Sequence, residues 1–291
     1  MEMPLLNREM RRNRQDIDTS SLHPKASLNP YIWKNNKLDI FVRKQLLKIA
    51  KDFISSFDVS DFDIKDVVIT GSIANYNWDE ENSDIDLHII VDFGDVDDNE
   101  NLVKAFFDEL RSNWNLKHSG IRVYGYPVEI YVQDKDEEHS SSGVYSILTD
   151  EWIIEPSIEK MSVEIDDENV REIADSFMRQ IDFIEERFLL ITDGISSETI
   201  ENVLKDANDL FDEIKGTRRK EVKSKSFELS TGNLVFKVLR RNGYIGKLND
   251  IRTLAYDYAN SLRNGTTRES WQDFSGPKDS ATIFTVMKSA I

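Results

Sequence analysis

The chain has 291 residues, 37 of them Lys or Arg against 54 Asp or Glu, a formal net charge of −17 and no cysteine. That length accommodates one large domain or two ordinary ones with real cores. The missing cysteines exclude disulfides, thiolate zinc sites and cysteine nucleophiles, and the acidity disfavours a processive polymerase, which needs a long positive groove.

The first stretch, MEMPLLNREMRRNRQD, has charges but no apolar segment of the kind that marks a secretory signal. No apolar run approaches the roughly 18 residues that span a membrane. A cytoplasmic protein without membrane contact is the expectation. Residues 1–37 contain Pro4, Pro24 and Pro30 and lack periodicity, so they read as an extended arm. Its end, Leu28-Asn29-Pro30-Tyr31-Ile32-Trp33, is apolar enough to dock onto the adjoining domain.

From Leu38 the spacing of Ile40, Phe41, Leu46, Ile49, Ala50, Phe53 and Ile54 predicts a helix to about Phe57. Asp66–Thr70 is a β-branched run that reads as a buried strand ended by Gly71. Ile73–Asn77 then reads as the start of a helix. Ile85–Val91 is a second strand, Leu102–Leu116 a helix with Val103, Phe106, Phe107 and Leu110 on one face, and Ile121–Tyr126 and Val128–Val132 two further strands. This alternation predicts an α+β domain around one mixed sheet over residues 38–155. After Pro156, apolar residues step by three and four from Val170, Ile200, Leu234 and Leu248 onward, predicting an all-α bundle of three to four helices over residues 156–263. Residues 264–291 read as a polar tail.

The stretch from Gly71 to Asp92, GSIANYNWDEENSDIDLHIIVD, carries the chemistry. Strand alternation sets Asp84, Asp86, His88, Ile90 and Asp92 on one face and Ile85, Leu87, Ile89 and Val91 on the other. Carboxylates two residues apart on one strand face are roughly 7 Å apart, near enough to converge on one metal site. They repel one another unless a cation neutralises them, and Mg²⁺ prefers such oxygen ligands. Gly71 lets the backbone approach a ligand, Ser72 offers a hydroxyl, and helix N-terminal amides beyond them would face a phosphate. Glu129 on the later strand is out of phase with Val128, Ile130 and Val132, so it shares the orientation of Asp84 and Asp86.

A strand, Gly-Ser, about a dozen residues, Asp-x-Asp on a strand and an acidic residue on a later strand resemble the nucleotidyltransferase superfamily of DNA polymerase β type. The resemblance spans about residues 66–133. It implies that Gly71 and Ser72 hold the triphosphate, that Asp84, Asp86 and Glu129 bind two Mg²⁺ or Mn²⁺ ions, and that a nucleoside monophosphate passes from a nucleoside triphosphate, ATP among them, to an acceptor hydroxyl on a small molecule, protein or RNA end, releasing pyrophosphate. Asp84 and Asp86 would bridge both ions, and Glu129 would hold the ion on the nucleophile side. The third position is Glu where many members have Asp. Leu28-Asn29-Pro30, Ile32-Trp33 and the stretch His139–Tyr145 further resemble uncharacterised nucleotidyltransferase-like proteins of tailed phages, which would set the protein in a host cytoplasm.

Other residues carry two readings each. The basic run from Lys215 through Arg218, Arg219, Lys220 and Lys223 to Lys225 would contact triphosphate or RNA, or else offset a helix dipole. Lys237, Arg240, Arg241 and Lys247 form a weaker patch. His88 is a metal ligand or a rim residue. His139 with Ser140, Ser141 and Ser142 touches the ligand or forms a loop. Tyr76 and Trp78 stack on a base or pack inside. Asp95, Asp97, Asp98 and Glu100 read as a solvated helix start. Against the enzyme stands an inactive or weak nucleotidyltransferase-fold binding module, an antitoxin or phage interaction protein, and a toxin modifying transfer RNA is a third class.

Overall fold

A computed structural model describes residues 17–57, 63–161, 164–219 and 227–261. Lys220, Lys223 and Lys225 of the basic run, residues 1–16 of the N-terminal arm and the polar tail lie outside these residues.

The centre of the molecule is a mixed six-stranded sheet. Its strands are β3 (Ile64–Thr70), β4 (Ile85–Val91), β5 (Arg122–Val123), β6 (Tyr126–Asp134), β7 (Val144–Ser146) and β8 (Glu151–Ile154), in the spatial order β5-β6-β4-β3-β7-β8. β4 and β6 run parallel, while β3 pairs antiparallel with both β4 and β7. A parallel neighbour requires a crossover, and helix α2 (Glu100–Lys117) makes it. Asn99 caps α2 by accepting from the Leu102 amide, and Asp39 caps α1 (Ile40–Ile54) by accepting from the Phe41 and Val42 amides. Val42, Leu46, Ile49 and Phe53 of α1 and Val103 and Phe107 of α2 pack with Ile69, Ile85, Leu87, Ile89 and Ile130 of the sheet. Burial of this apolar face is the main source of its stability, at about 25 cal/mol per Å².

The opposite face of the sheet carries Asp86, His88, Glu129, Tyr131 and Gln133 at alternate positions, beside a small apolar cluster of Val68, Ile90 and Val144. After the single turn α3 (Ile158–Met161), a second core lies among α4 (Asp167–Thr192), α5 (Ile200–Arg219), α6 (Thr231–Arg241) and α7 (Tyr244–Asn260), with Phe188, Val203, Leu239, Leu248 and Ile251 inside it. The fold is therefore a mixed α/β sheet core followed by a helical region. No helix among the described residues is long and apolar enough to cross a membrane.

The described part of the arm touches both cores. Ile17 and Leu22 are buried with the helices, and Arg171 donates to the Ile17 carbonyl and the Thr19 hydroxyl. Further on, Ile32 and Trp33 are buried with the sheet. Trp33 donates its indole N–H to the Ile73 carbonyl at 2.7 Å and stacks on Trp152. A tight hairpin of β1 (Trp33–Lys34) and β2 (Lys37–Leu38) turns on Asn35 and Asn36, both at positive φ, the geometry that Asn tolerates better than most residues.

Four details differ from the sequence reading. Ile73–Asn77 is not the start of a helix: one 3-10 turn, Ser72–Ala74, ends where Asn75 extends and its side chain accepts from the Asn77 amide. Pro127 does not split a strand, because β6 starts at Tyr126 and Pro127 pairs only with the short edge strand β5. β7 and β8 went unread, being three and four residues long. Ile40 and Phe41 are exposed, on the outer side of the first turn of α1.

Candidate active site

The parallel register of β4 and β6 sets Asp86 directly beside Glu129, with Ile85 beside Val128. Asp84 precedes β4 on the same side. One oxygen from each of Asp84, Asp86 and Glu129 lies within 4.8 Å of the others. All three residues are partly buried. Desolvation pushes the Asp86 carboxyl well above the ordinary carboxylate range, and the charges of Asp84 and Glu129 push it further, while Arg240 and Arg218 pull it back. Hard oxygen donors, gathered closely enough to repel, are the donor set that a divalent cation satisfies.

The approach to Asp84 is built by local turns. Asp79 accepts from the Glu81 and Asn82 amides, an Asx turn that fixes the loop. Ser83 then accepts from the Asp79 amide and shares a 2.8 Å hydrogen bond with the Ser72 hydroxyl. The Gly-Ser turn and the first aspartate are thereby tied together. Gly71 has φ +74°, and a Cβ there would stand 1.9 Å from Oδ2 of Asp86. Only glycine fits both demands.

Glu129 has its own support. The Tyr131 hydroxyl donates to its Oε2 at 2.8 Å. The Tyr131 ring lies between the His88 ring, with centroids 4.9 Å apart, and the Arg111 guanidinium, 4.8 Å from the centroid. His88 is not one of the clustered oxygen donors. Gln133 donates its amide to the Glu137 carbonyl, so its Oε1 accepts from His88 Nδ1 at 2.8 Å, which leaves Nε2 to accept from Thr70 at 3.1 Å. Burial pushes this imidazole down to about 4, against the hydrogen bond it donates to Gln133, so it is neutral near pH 7.

Cations face the acids from the helices. Arg240 Nη1 is 3.6 Å from Asp84 Oδ2. Arg218, at the end of α5, donates to Asn233 and bears electrostatically on Asp86 and Tyr131. Lys237 is pushed down to about 8 by desolvation; Glu228 opposes this, and Arg241, Arg240 and Arg218 add to it. Arg241 donates to Ser21 and bears on Asp79.

The members of the basic run divide. Arg218 turns toward the acids, Lys215 lies over the Phe211 ring at 4.3 Å, and Arg219 is exposed. Lys247 pairs with Asp182 and Glu185 within the helices. Trp78 is buried and donates to the Ser27 carbonyl, and Tyr76 packs on the helical core, so both serve packing. Asp95 pairs with Lys65 ahead of α2. His139 is half-buried with Nδ1 3.4 Å from the Gln133 amide, whereas Ser141 and Ser142 engage Glu228.

Sequence reasoning missed Tyr131, Ser83 and Glu228. Tyr131 was within reach, two residues beyond Glu129 and in phase with it. Glu228 gave no signal, because its partners come from distant segments.

The family model of the nucleotidyltransferase domain matches residues 44–189, half of the chain, from α1 through the sheet into α4. Comparison with curated proteins and with solved structures found no match.

Proposed function

The chain belongs to the nucleotidyltransferase domain family, and from that premise we propose that it transfers a nucleoside monophosphate from a nucleoside triphosphate to an acceptor hydroxyl, releasing pyrophosphate. The observation that carries this reading is the convergence of Asp84, Asp86 and Glu129 beside the Gly71-Ser72 turn, with the cations of α5 and α6 opposite. The donor set suits Mg²⁺ or Mn²⁺, and Asp84, Asp86 and Glu129 would hold the ions. When bound, divalent ions make an acceptor hydroxyl more acidic and offset charge on departing pyrophosphate.

The remaining work falls to this chain's own groups. Gly71 opens the space in which the backbone and the Ser72 hydroxyl meet a phosphate. Arg240 and Arg218 supply positive charge opposite the acids, and Arg240 exchanges its contact with Asp84 for phosphate oxygen. Tyr131 holds Glu129 by one oxygen and leaves the other for the site. The neutral His88 braces Tyr131 without adding charge. A Glu in the third position reaches the cluster because it stands beside Asp86 in register and is fixed from behind.

The test is transfer of label from each α-³²P nucleoside triphosphate, with Mn²⁺, to small hydroxyl compounds, proteins and RNA ends. Transfer that disappears in Asp84→Asn/Asp86→Asn, with folding retained, supports the reading. Binding of nucleotide without turnover on any acceptor would instead support an inactive binding module, and absence of nucleotide binding refutes the transferase.

A further inference from the structure

Glu228 is the point where the helical region grips the Gly-Ser turn. It sits in a 3-10 turn, Phe227–Leu229, just ahead of α6. One carboxylate oxygen accepts from the Ser142 amide at 3.1 Å and the Ser141 hydroxyl at 3.2 Å. The other accepts from the Asn75 side-chain amide at 2.8 Å and from the Ser142 hydroxyl. These donors belong to the segments that shape the site. Asn75 ends the turn begun by Gly71 and Ser72, and the Gly71 amide itself donates to the Ser141 hydroxyl at 3.2 Å. The two segments are also pressed together, since a Cβ on Gly143 would stand 1.9 Å from the Ala74 carbonyl oxygen.

The backbone of the same residue reaches the cations. The Glu228 carbonyl accepts from the Asn233 amide at 2.9 Å, and Asn233 Oδ1 accepts from Arg218 Nε at 3.1 Å. Ser230, two residues on, caps α6 by accepting from the Asn233 amide N–H, and α6 carries Lys237, Arg240 and Arg241. One residue therefore ties the Gly-Ser turn by its side chain and the cation-bearing helix ends by its carbonyl. Hydrogen bonds to a charged acceptor are among the stronger kind.

We propose that Glu228 is a positioning residue, a carboxylate latch that sets the spacing between the Gly71-Ser72 turn with its carboxylates and the cations of α5 and α6, and so fixes the width of the cleft that takes a nucleoside triphosphate. The nucleotide part rests on the function proposed above; the spacing part does not.

Two measurements separate them. The chain has no native cysteine, so Leu116→Cys and Ile195→Cys, both at exposed sites, take spin labels on the sheet part and the helical part. Electron–electron distance measurement on this pair should give a narrow distribution that broadens in Glu228→Gln. Calorimetry should show ATP affinity with Mn²⁺ weakened about tenfold in Glu228→Gln, a typical coupling between two sites, with Mn²⁺ affinity alone unchanged. Ser141→Ala/Ser142→Ala removes two of the four donors and leaves the Asn75 side chain and the Ser142 backbone amide. It should reproduce both effects in part, and adding Glu228→Gln to it should cost less than Glu228→Gln costs in the parent. An unchanged distance distribution in both variants overturns the latch. So does a parallel fall of ATP and Mn²⁺ affinities, which would mark general destabilisation. If the parent protein binds no ATP, the nucleotidyl-transfer reading fails and the distance measurement alone judges the latch.

Discussion

Gly71 and Asp86 stand so close that no side chain fits between them: a Cβ at residue 71 would meet Oδ2 of Asp86 at 1.9 Å. The contact joins the Gly-Ser turn to the carboxylate at the centre of the acidic cluster. Gly71→Ala adds this overlap to an unfavourable φ of +74°. The expected outcome is a loss of about 2 kcal/mol in urea unfolding. Because Asp86 is the group displaced, Mn²⁺ affinity in calorimetry should fall with it.

Ionised Asp86 works against burial and two like charges. Asp86→Asn removes that conflict while keeping the shape. In chelator, the variant should unfold at a higher temperature than the parent. Nucleotidyl transfer should be lost. A destabilised variant would mean that the carboxylate is satisfied as it stands.

The same shift fixes a pH dependence. A folded-state pKa above the unfolded value means that folded Asp86 keeps its proton where the unfolded chain has lost it. The metal-free protein therefore loses stability from this group as pH rises above about 4. Divalent cations bind the ionised form. The rise in melting temperature from millimolar Mn²⁺ should be larger near pH 8 than near pH 5.5, and a constant increment would contradict this.

His88 acts with the opposite sign. Its folded value is about 4 against an ordinary 6.5. Above pH 6.5 both states are neutral and nothing is lost. As pH falls toward 4 the unfolded chain takes up a proton that the folded site refuses, at a cost of up to about 3 kcal/mol. In His88→Gln, unfolding free energies measured from pH 7 to pH 4 should decline less steeply than in the parent.

Tyr131→Phe keeps the ring between His88 and Arg111 and removes only the hydrogen bond to Glu129. Stability should drop by about 1 kcal/mol. Mn²⁺ affinity should weaken about tenfold, the usual consequence of freeing a ligand's supporting partner. Calorimetry on the folded variant checks it without an assay of turnover.

The acidic cluster was legible because strand alternation is a strict code. Asp84, Asp86 and Glu129 were in phase on paper, and the β4–β6 register places the last two side by side. The Gly-Ser turn was legible by composition but misread in form, because Asn75 bonds to the nearby backbone and ends the turn instead of continuing a helix. The long helices declared themselves by period. β7 and β8 did not, since a three- or four-residue strand is too short to show alternation. The basic run shows the limit of counting charge: Arg218 faces the acids, the next residue Arg219 is exposed, and Lys215 lies over the Phe211 ring. A helix rotates successive residues by about 100°, so neighbours in sequence point apart. Glu228 lay beyond any such code, since its partners Asn75, Ser141 and Ser142 are distant in sequence.

The crossover through α2 has a kinetic consequence. Asp86 and Glu129 belong to strands that pair in parallel, so they meet only after the intervening helix has packed and a long loop has closed. Their mutual repulsion is therefore felt late in folding. A cation that relieves it acts chiefly on the finished structure, so bound Mn²⁺ should slow unfolding and leave the refolding rate almost untouched. The cluster then works as a clasp fastened last: the cation prolongs the life of the folded chain without guiding the chain toward it.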